Sequence, residues 1–273
     1  MTATQTQQPT FQKVTYDVAD SVATITLNDP ASLNALNSVM KSELYQALDY
    51  AQYDTAAKVI VITGAGKGFS SGGDIREMLS GADNHENLLK MSHSLTIGIA
   101  DITRRIRKIS KPIIACINGA CAGAGMNIAL ACDFRVSSDN AKFLQAFVNI
   151  GLVPDAGGIY QLTQLIGAAK TTELVMLGEQ FDAKKAQDLG LVNAIVPADE
   201  LDAAVKKLTD RLTSLPALTL AAMKQTINQV AYSGLDTAID AEVMYQMQMA
   251  TTDDFKEGVS AFMQKRPAQF KGH

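Results

Sequence analysis

The sequence predicts an α/β protein: a core of alternating strands and helices, followed by a region of helices alone. Three observations carry this reading. Short β-branched or wholly apolar runs alternate with helical patterns as far as "LVNAIVP" (191–197), and from about residue 199 only helical texture remains. A content of 47% hydrophobic and 19% charged residues is that of a folded globular chain, and 273 residues bury a substantial core without staples. The expected division is therefore a core over 12–198 and a helical C-terminal region over 199–273.

The elements follow in order. "SVATITL" (21–27) alternates and is β-branched, so it reads as a strand. "NSVMKSELYQALDYAQYD" (37–54) places Leu44, Ala47, Leu48 and Ala51 on one helical face. "KVIVITG" (58–64) is a buried strand that ends at glycine. It leads into a loop, "AGKGFSSGG" (65–73), and a short helix from Asp74. A long helix is expected over roughly 84–109, with Leu88, Met91, Leu95, Ile99, Ile102, Ile106 and Ile109 at helical spacing and Pro112 marking its end. "IIACING" (113–119) is another buried strand, "ACAGAGMNIALAC" (120–132) a small-residue turn opening a helix, and "FRVSS" (134–138) a returning strand.

Both glycine-rich turns follow buried strands, so a nucleotide site has to be tested. A dinucleotide fingerprint needs Gly-x-Gly-x-x-Gly. The sixth position is Phe69 counted from Gly64 and Ile128 counted from Gly123, and both fail. A phosphate loop fails as well: upstream of Gly66-Lys67 the required glycine is Val61, and Gly68 follows where Ser or Thr is needed. What remains is the turn chemistry itself. Small residues let a ligand approach main-chain N–H groups, and a helix opening there adds unpaired donors and a positive dipole end. Two such turns facing one atom would hold a negative oxygen; close helix–strand packing is the alternative.

Other features set limits. The net charge of −4 gives no basic field for nucleic acid. Cys116, Cys121 and Cys132 lie in apolar surroundings and read as reduced core thiols. His85, His93 and His273 show no metal-ligand spacing with them, so no metal is expected. "MTATQTQQPT" has the features of neither a signal nor a transit peptide, and no apolar run reaches the ~18 residues that span a bilayer. "FKGH" is not a peroxisomal address, and the expected location is the cytoplasm. "RRIRK" (104–108) suits a helix C-terminus, and "MYQMQM" (244–249) reads as packing.

Taken together, several segments resemble the crotonase (enoyl-CoA hydratase/isomerase) family: "NDPASLNALN" (28–37), "GAGKGFSSGGDIREM" (64–78), "NGACAGAGMNIALACDFRV" (118–136), "GLVPDAGG" (151–158) and "FMQKRPAQF" (262–270). The resemblance runs over almost the whole chain. It implies a spiral of ββα turns with a helical C-terminal region that serves trimerisation, and trimers often paired into hexamers. It implies an acyl-CoA thioester ligand, with coenzyme A carried as part of the substrate and no separate cofactor. By position, the oxyanion-hole donors are the backbone N–H groups of Gly73 and Ala124; the family commonly has glycine at the second place. Ser32, Leu33, Ala35, Ser71, Gly72, Asp74 and Ile75 fall where the family wraps coenzyme A, although Asp74 also reads as a helix cap. Lys265 and Arg266 fall where a coenzyme A phosphate could be met, in the same or a neighbouring subunit; a solvated charged face is the alternative. By chain position, Met78, Leu79 and Phe143 are expected along the acyl pocket.

The resemblance also exposes a departure. A hydratase of this family holds its water with two glutamates, and Asn127 and Phe147 stand in their places. Asn accepts no proton at neutral pH and Phe holds no water, so ordinary hydration is not expected. Asp155 stands where a subset of the family, including ring-type phenylacetate-pathway isomerases, carries its acid. On its residues alone Asp155 reads as an N-cap for a helix starting near Gly157. The resemblance implies instead a single base that moves a double bond, desolvated by Phe147 and Met126. Acyl-CoA hydrolysis, weak hydration and a non-catalytic acyl-CoA-binding subunit are the competing readings.

Overall fold

The computed structural model describes residues 10–80 and 98–273, the side chains of Leu79 and Ser80 excepted. His85, His93 and the expected helical positions from 84 to 97 lie outside the described residues.

A six-stranded sheet is assembled in the order β1 (Val14–Ala19), β2 (Val22–Leu27), β3 (Val59–Gly64), β5 (Ile113–Ile117), β7 (Phe134–Ser138) and β10 (Ala194–Val196). Only β1–β2 is antiparallel; Asp20 and Ser21, both at positive φ, make the two-residue turn between them. Strand β1 lies outside the strands read from sequence; Val14, Tyr16 and Val18 alternate with polar neighbours, but only Val14 and Tyr16 are buried. A second sheet joins β4 (Gly68–Ser70), β6 (Ala120–Ala122), β8 (Lys142–Leu144) and β9 (Phe181–Asp182). The sequence reading had β4 as loop and β6 as turn. Three residues at a time carry no strand periodicity, and these segments become strands only by pairing with one another.

The chain therefore winds. Each circuit lays one strand in the large sheet, the next in the small sheet, and closes with a helix. The circuits are β3–β4 with α2 (Ile75–Ser80) and α3 (98–108), β5–β6 with α4 (Gly123–Ala131), and β7–β8 with α5 (Gly158–Leu177). Helix α1 (Ser38–Tyr53) precedes the first circuit and is capped by Asn37, whose side chain accepts from Met40 N at 2.9 Å. This is the ββα spiral that the resemblance implies.

Residues of the main core fill the space between sheets and helices, while the outer face of the large sheet buries Val59, Val61, Ile114 and Val136. A parallel sheet needs cover on both faces. Helix α7 (Leu201–Thr213) supplies it with Leu201, Val205 and Leu212, after the short α6 (Ala183–Asp188) and β10. Helices α8 (Ala217–Ala231), α9 (Leu235–Met249) and α10 (Asp253–Gln264) complete the C-terminal region.

The basic run 104–108 is spent on pairing within the fold. Arg104 bonds Asp236 and Asp240 of α9, Arg105 bonds Asp49 and Tyr45 of α1, and Arg107 bonds Asp133. The three cysteines are free and buried, and burial pushes the Cys116 thiol up to about 11 and the Cys132 thiol to about 12. Such thiols are inert at neutral pH. In "MYQMQM" the burial is the reverse of a packing stripe: Gln246 is buried, whereas Met244 and Tyr245 are exposed.

Candidate active site

The segment 32–36 and the loop 70–73 run side by side. Ser71 N donates to Leu33 O at 2.9 Å, Leu36 N to Gly72 O at 2.8 Å, and Ser71 Oγ to Ser32 O at 3.0 Å. Buried Asn34 holds them, its amide donating to Ala65 O and Gly68 O while its backbone oxygen accepts from Ser70 Oγ. The structure thus brings Ser32, Leu33, Ala35, Ser71 and Gly72 into one strip, with Leu33 exposed in the left-handed region. Asp74 does cap α2: its Oδ1 accepts from Arg76 N at 2.9 Å. Ile75 and Met78 pack against the core, Met78 lying over Gly73. Phe143 stacks on Phe181 within the small sheet, with ring centroids 5.6 Å apart. Lys265 sits exposed in the left-handed cap of α10, and no hydrogen bond or ion pair among the described residues joins it to the strip. Arg266 is engaged by Glu257.

The two candidate backbone donors, Gly73 and Ala124, lie on loops that meet beside this strip. The Leu36–Gly73 bridge uses the carbonyl of Gly72, so it does not consume the Gly73 N–H. Ala124 is the second residue of α4, among the amides that a helix leaves without intrahelical acceptors, and Ala122 offers no side-chain cap. Gly72, at φ +90°, lets the two loops meet: a Cβ there would lie 2.8 Å from Ala122 O and 3.3 Å from Ala124 N. The Phe147 ring closes over Gly123. Buried Met126 and Phe147 leave this end of α4 dry.

Asn127, one turn further along α4, reaches the Asp155 turn. Its Nδ2 donates to Asp155 O at 2.8 Å, and its Oδ1 accepts from Gln145 Nε2 at 2.8 Å. Gln161 Nε2 donates to Ala156 O at 3.1 Å. The amide groups of the turn are taken from the other side, by helix α9. Val153 N donates to Gln246 Oε1 at 3.0 Å, Gly157 N to Glu242 Oε2 at 2.6 Å, and Ile159 N to Glu242 Oε1 at 3.0 Å.

The cap of α5 is therefore Glu242, and the reading of Asp155 as that cap does not hold: its side chain accepts none of these amides. Asp155 is 5% exposed, and its Oδ1 has no hydrogen-bond partner. Burial holds the carboxyl up at about 7, with the Lys41 charge and Asn127 drawing it back down. Lys41, buried on α1, is itself pushed down to about 8 by burial, with Glu77 and Asp155 opposing. The outcome is a buried carboxyl on a turn tied to α4 through Asn127. It can release and accept a proton near neutrality.

Among the described residues no group of three His, Cys, Asp or Glu side chains could hold a metal ion, and no helix is long and apolar enough to cross a membrane. Sequence reasoning missed Lys41, Gln161, Glu242 and Gln246. For the last two a signal existed: Leu235, Ile239, Glu242 and Gln246 share one helical face.

Residues 17–273 match the profile of the enoyl-CoA hydratase/isomerase family. Over 96% of this chain and 99% of the relative, the sequence is 36% identical to a trans-2-decenoyl-[acyl-carrier-protein] isomerase of Streptococcus mutans. It is 35% identical to a 1,2-epoxyphenylacetyl-CoA isomerase of Escherichia coli, covering 93% of this chain and 97% of the relative. A crystal structure of an enoyl-CoA hydratase from Mycobacterium avium subsp. paratuberculosis superposes with a TM-score of 0.86 at 35% identity, covering 96% of this chain and 100% of the other.

Proposed function

The chain belongs to the enoyl-CoA hydratase/isomerase (crotonase) family, and within it we propose an acyl-CoA double-bond isomerase that uses Asp155 as its only base. Family membership supports an acyl-CoA thioester as substrate. The substrate is a 3-enoyl-CoA, or a ring analogue of the phenylacetate type in keeping with the name of one relative. The observation that carries the reading is the buried Asp155 carboxyl, raised to about 7 with its Oδ1 unpartnered, in a chain whose two hydratase acid positions hold Asn127 and Phe147.

The chemistry balances with one carboxylate. Asp155 takes a proton from C2, and the C–H electron pair moves into a dienolate whose charge rests on the thioester oxygen. The Gly73 and Ala124 N–H groups donate to that oxygen, each such donor contributing roughly 2.7–4 kcal/mol in other enzymes. The same carboxyl then returns the proton to C4 as the 3,4 double bond shifts to 2,3. Nothing is oxidised or reduced. The Ser32–Ala35 and Ser71–Ile75 strip serves coenzyme A, with Lys265 reaching it from the same or a neighbouring subunit of a trimer or hexamer.

The test is a comparison of two substrates. Isomerisation of a 3-enoyl-CoA is expected to exceed hydration of crotonyl-CoA by about 10²-fold or more, since neither water-holding acid is present. Comparable turnover of the two would overturn the reading in favour of a hydratase.

A further inference from the structure

We infer that Glu242 and Gln246 of α9 are positioning residues for Asp155, holding both ends of the turn that presents its carboxyl and setting a second carboxyl beside it. The inference rests on Asp155 being the base.

The turn is one that needs holding. Ala156 and Gly157 are both left-handed, at φ 56° and 74°, and for a residue with a Cβ that conformation carries a cost. It directs successive N–H groups into a concave nest that suits an anion. The acceptor is supplied internally, by the Glu242 carboxyl, which takes Gly157 N and Ile159 N. Gln246 lies one helical turn on and takes Val153 N, two residues before Asp155. Helix α9 sits against the turn so closely that a Cβ on Gly157 would meet Leu235 Cδ1 at 2.6 Å. It is fixed from behind by Arg104 of α3 through Asp236 and Asp240. With its own amides satisfied by α9 and its carbonyl by Asn127, the turn has no use for the Asp155 side chain.

Glu242 is also coupled to Asp155 by charge. Its carboxyl is pushed up to about 8 by burial and by Asp155, against the pull of the backbone donors. Two buried carboxyls this close resist ionising together. Among the described residues, the charged groups facing the pair are Lys41 from α1 and, through Lys41, Glu77 from α2; Arg104 faces away, toward Asp236 and Asp240. Asp155 works as a base only when ionised. Asp155, the lower of the two, ionises first, and its charge then holds the proton on Glu242.

The experiment follows kcat and kcat/KM against pH for isomerisation of a 3-enoyl-CoA by wild type, Asp155→Asn, Glu242→Gln and Gln246→Leu. Thermal melts check folding. Loss of turnover in Asp155→Asn tests the base itself; a wild-type rate there defeats the base reading whatever α9 does. With the base established, Glu242→Gln is expected to lose roughly 10-fold or more in kcat with KM little changed, since small misplacement of a reacting group is costly. Its acid limb is expected to stay in place, since Glu242 is still protonated as Asp155 ionises. Gln246→Leu is expected to lower kcat without moving the limb, because it removes grip but no charge. Wild-type kcat in Glu242→Gln would overturn the inference, as would a loss confined to KM. Should Glu242→Gln not fold, carboxyl NMR titration of the wild-type protein decides: coupled two-step titration of Asp155 and Glu242 supports the pair, and independent single-step titration overturns it.

Discussion

In the proposed isomerase, Asp155 owes its basicity to its environment more than to its residue type. An exposed aspartate is ionised at neutral pH but too weak a base to take a carbon-bound proton efficiently. Burial raises this one to about 7 and leaves one oxygen without a partner. The same feature has a stability consequence. The folded carboxyl titrates about 7 and the unfolded one near 3.8, so the native state holds its proton longer. The stability this lends is full below the unfolded value and is lost as pH rises through the folded one. Asp155→Asn, which never ionises, is expected to melt higher than wild type above pH ~7, by on the order of 2–4 kcal/mol at most, with the gap closing toward pH ~4. Thermal melts across that range check it; a gap that widens on acidification would contradict the burial argument. The role of Asp155 was open to sequence reading as base or cap. What the local sequence could not show is that another carboxylate, 87 positions downstream at Glu242, occupies the cap.

At the scale of elements, α4 and α5 meet through side-chain amides. Asn127 is the residue that departs from the hydratase pattern, and its Nδ2 clamps the Asp155 carbonyl while Gln145 fixes its orientation. Restoring a glutamate there would aim a carboxylate oxygen at a carbonyl oxygen. Asn127→Glu is therefore expected to gain no crotonyl-CoA hydration and to lose about 10-fold or more of 3-enoyl-CoA isomerisation. Both rates are read on one preparation, and a gain in hydration with isomerisation intact would refute the clamp. The large sheet was legible because β2, β3, β5 and β7 are β-branched or apolar runs bounded by turns. The small sheet was not. Strands β4 and β6 read as Gly-Phe-Ser and Ala-Cys-Ala, which are loop sequences until each finds the other. Glu242 and Gln246 sat on a visible apolar face, and a polar residue on such a face was the sign that went unread.

Across the whole molecule, the spiral gathers segments from residues 32 to 246 around one carboxyl, and the C-terminal helices take part through α9. They also present apolar surface. Leu218 and Val230 of α8 are 87% and 80% exposed in the single chain, alongside Met223 and Ile227. Such a face is usually covered. The family resemblance implies a trimer or hexamer, and sedimentation is expected to find one, with Leu218→Glu combined with Val230→Glu shifting it toward smaller species; a wild-type monomer would contradict this. The central claim is that one carboxyl moves a proton between two carbons of an acyl thioester. It is tested most directly by incubating wild type and Asp155→Asn with a 3-enoyl-CoA in deuterated water and reading deuterium and double-bond position together by mass spectrometry and NMR. Wild type is expected to form the 2-enoyl product with solvent exchange at C2 or C4. Asp155→Asn is expected to stay folded, to bind acyl-CoA, and to turn over about 10²-fold or more slowly with exchange lost in proportion. Isomerisation and exchange at the wild-type rate in that variant would place the base elsewhere and contradict the account.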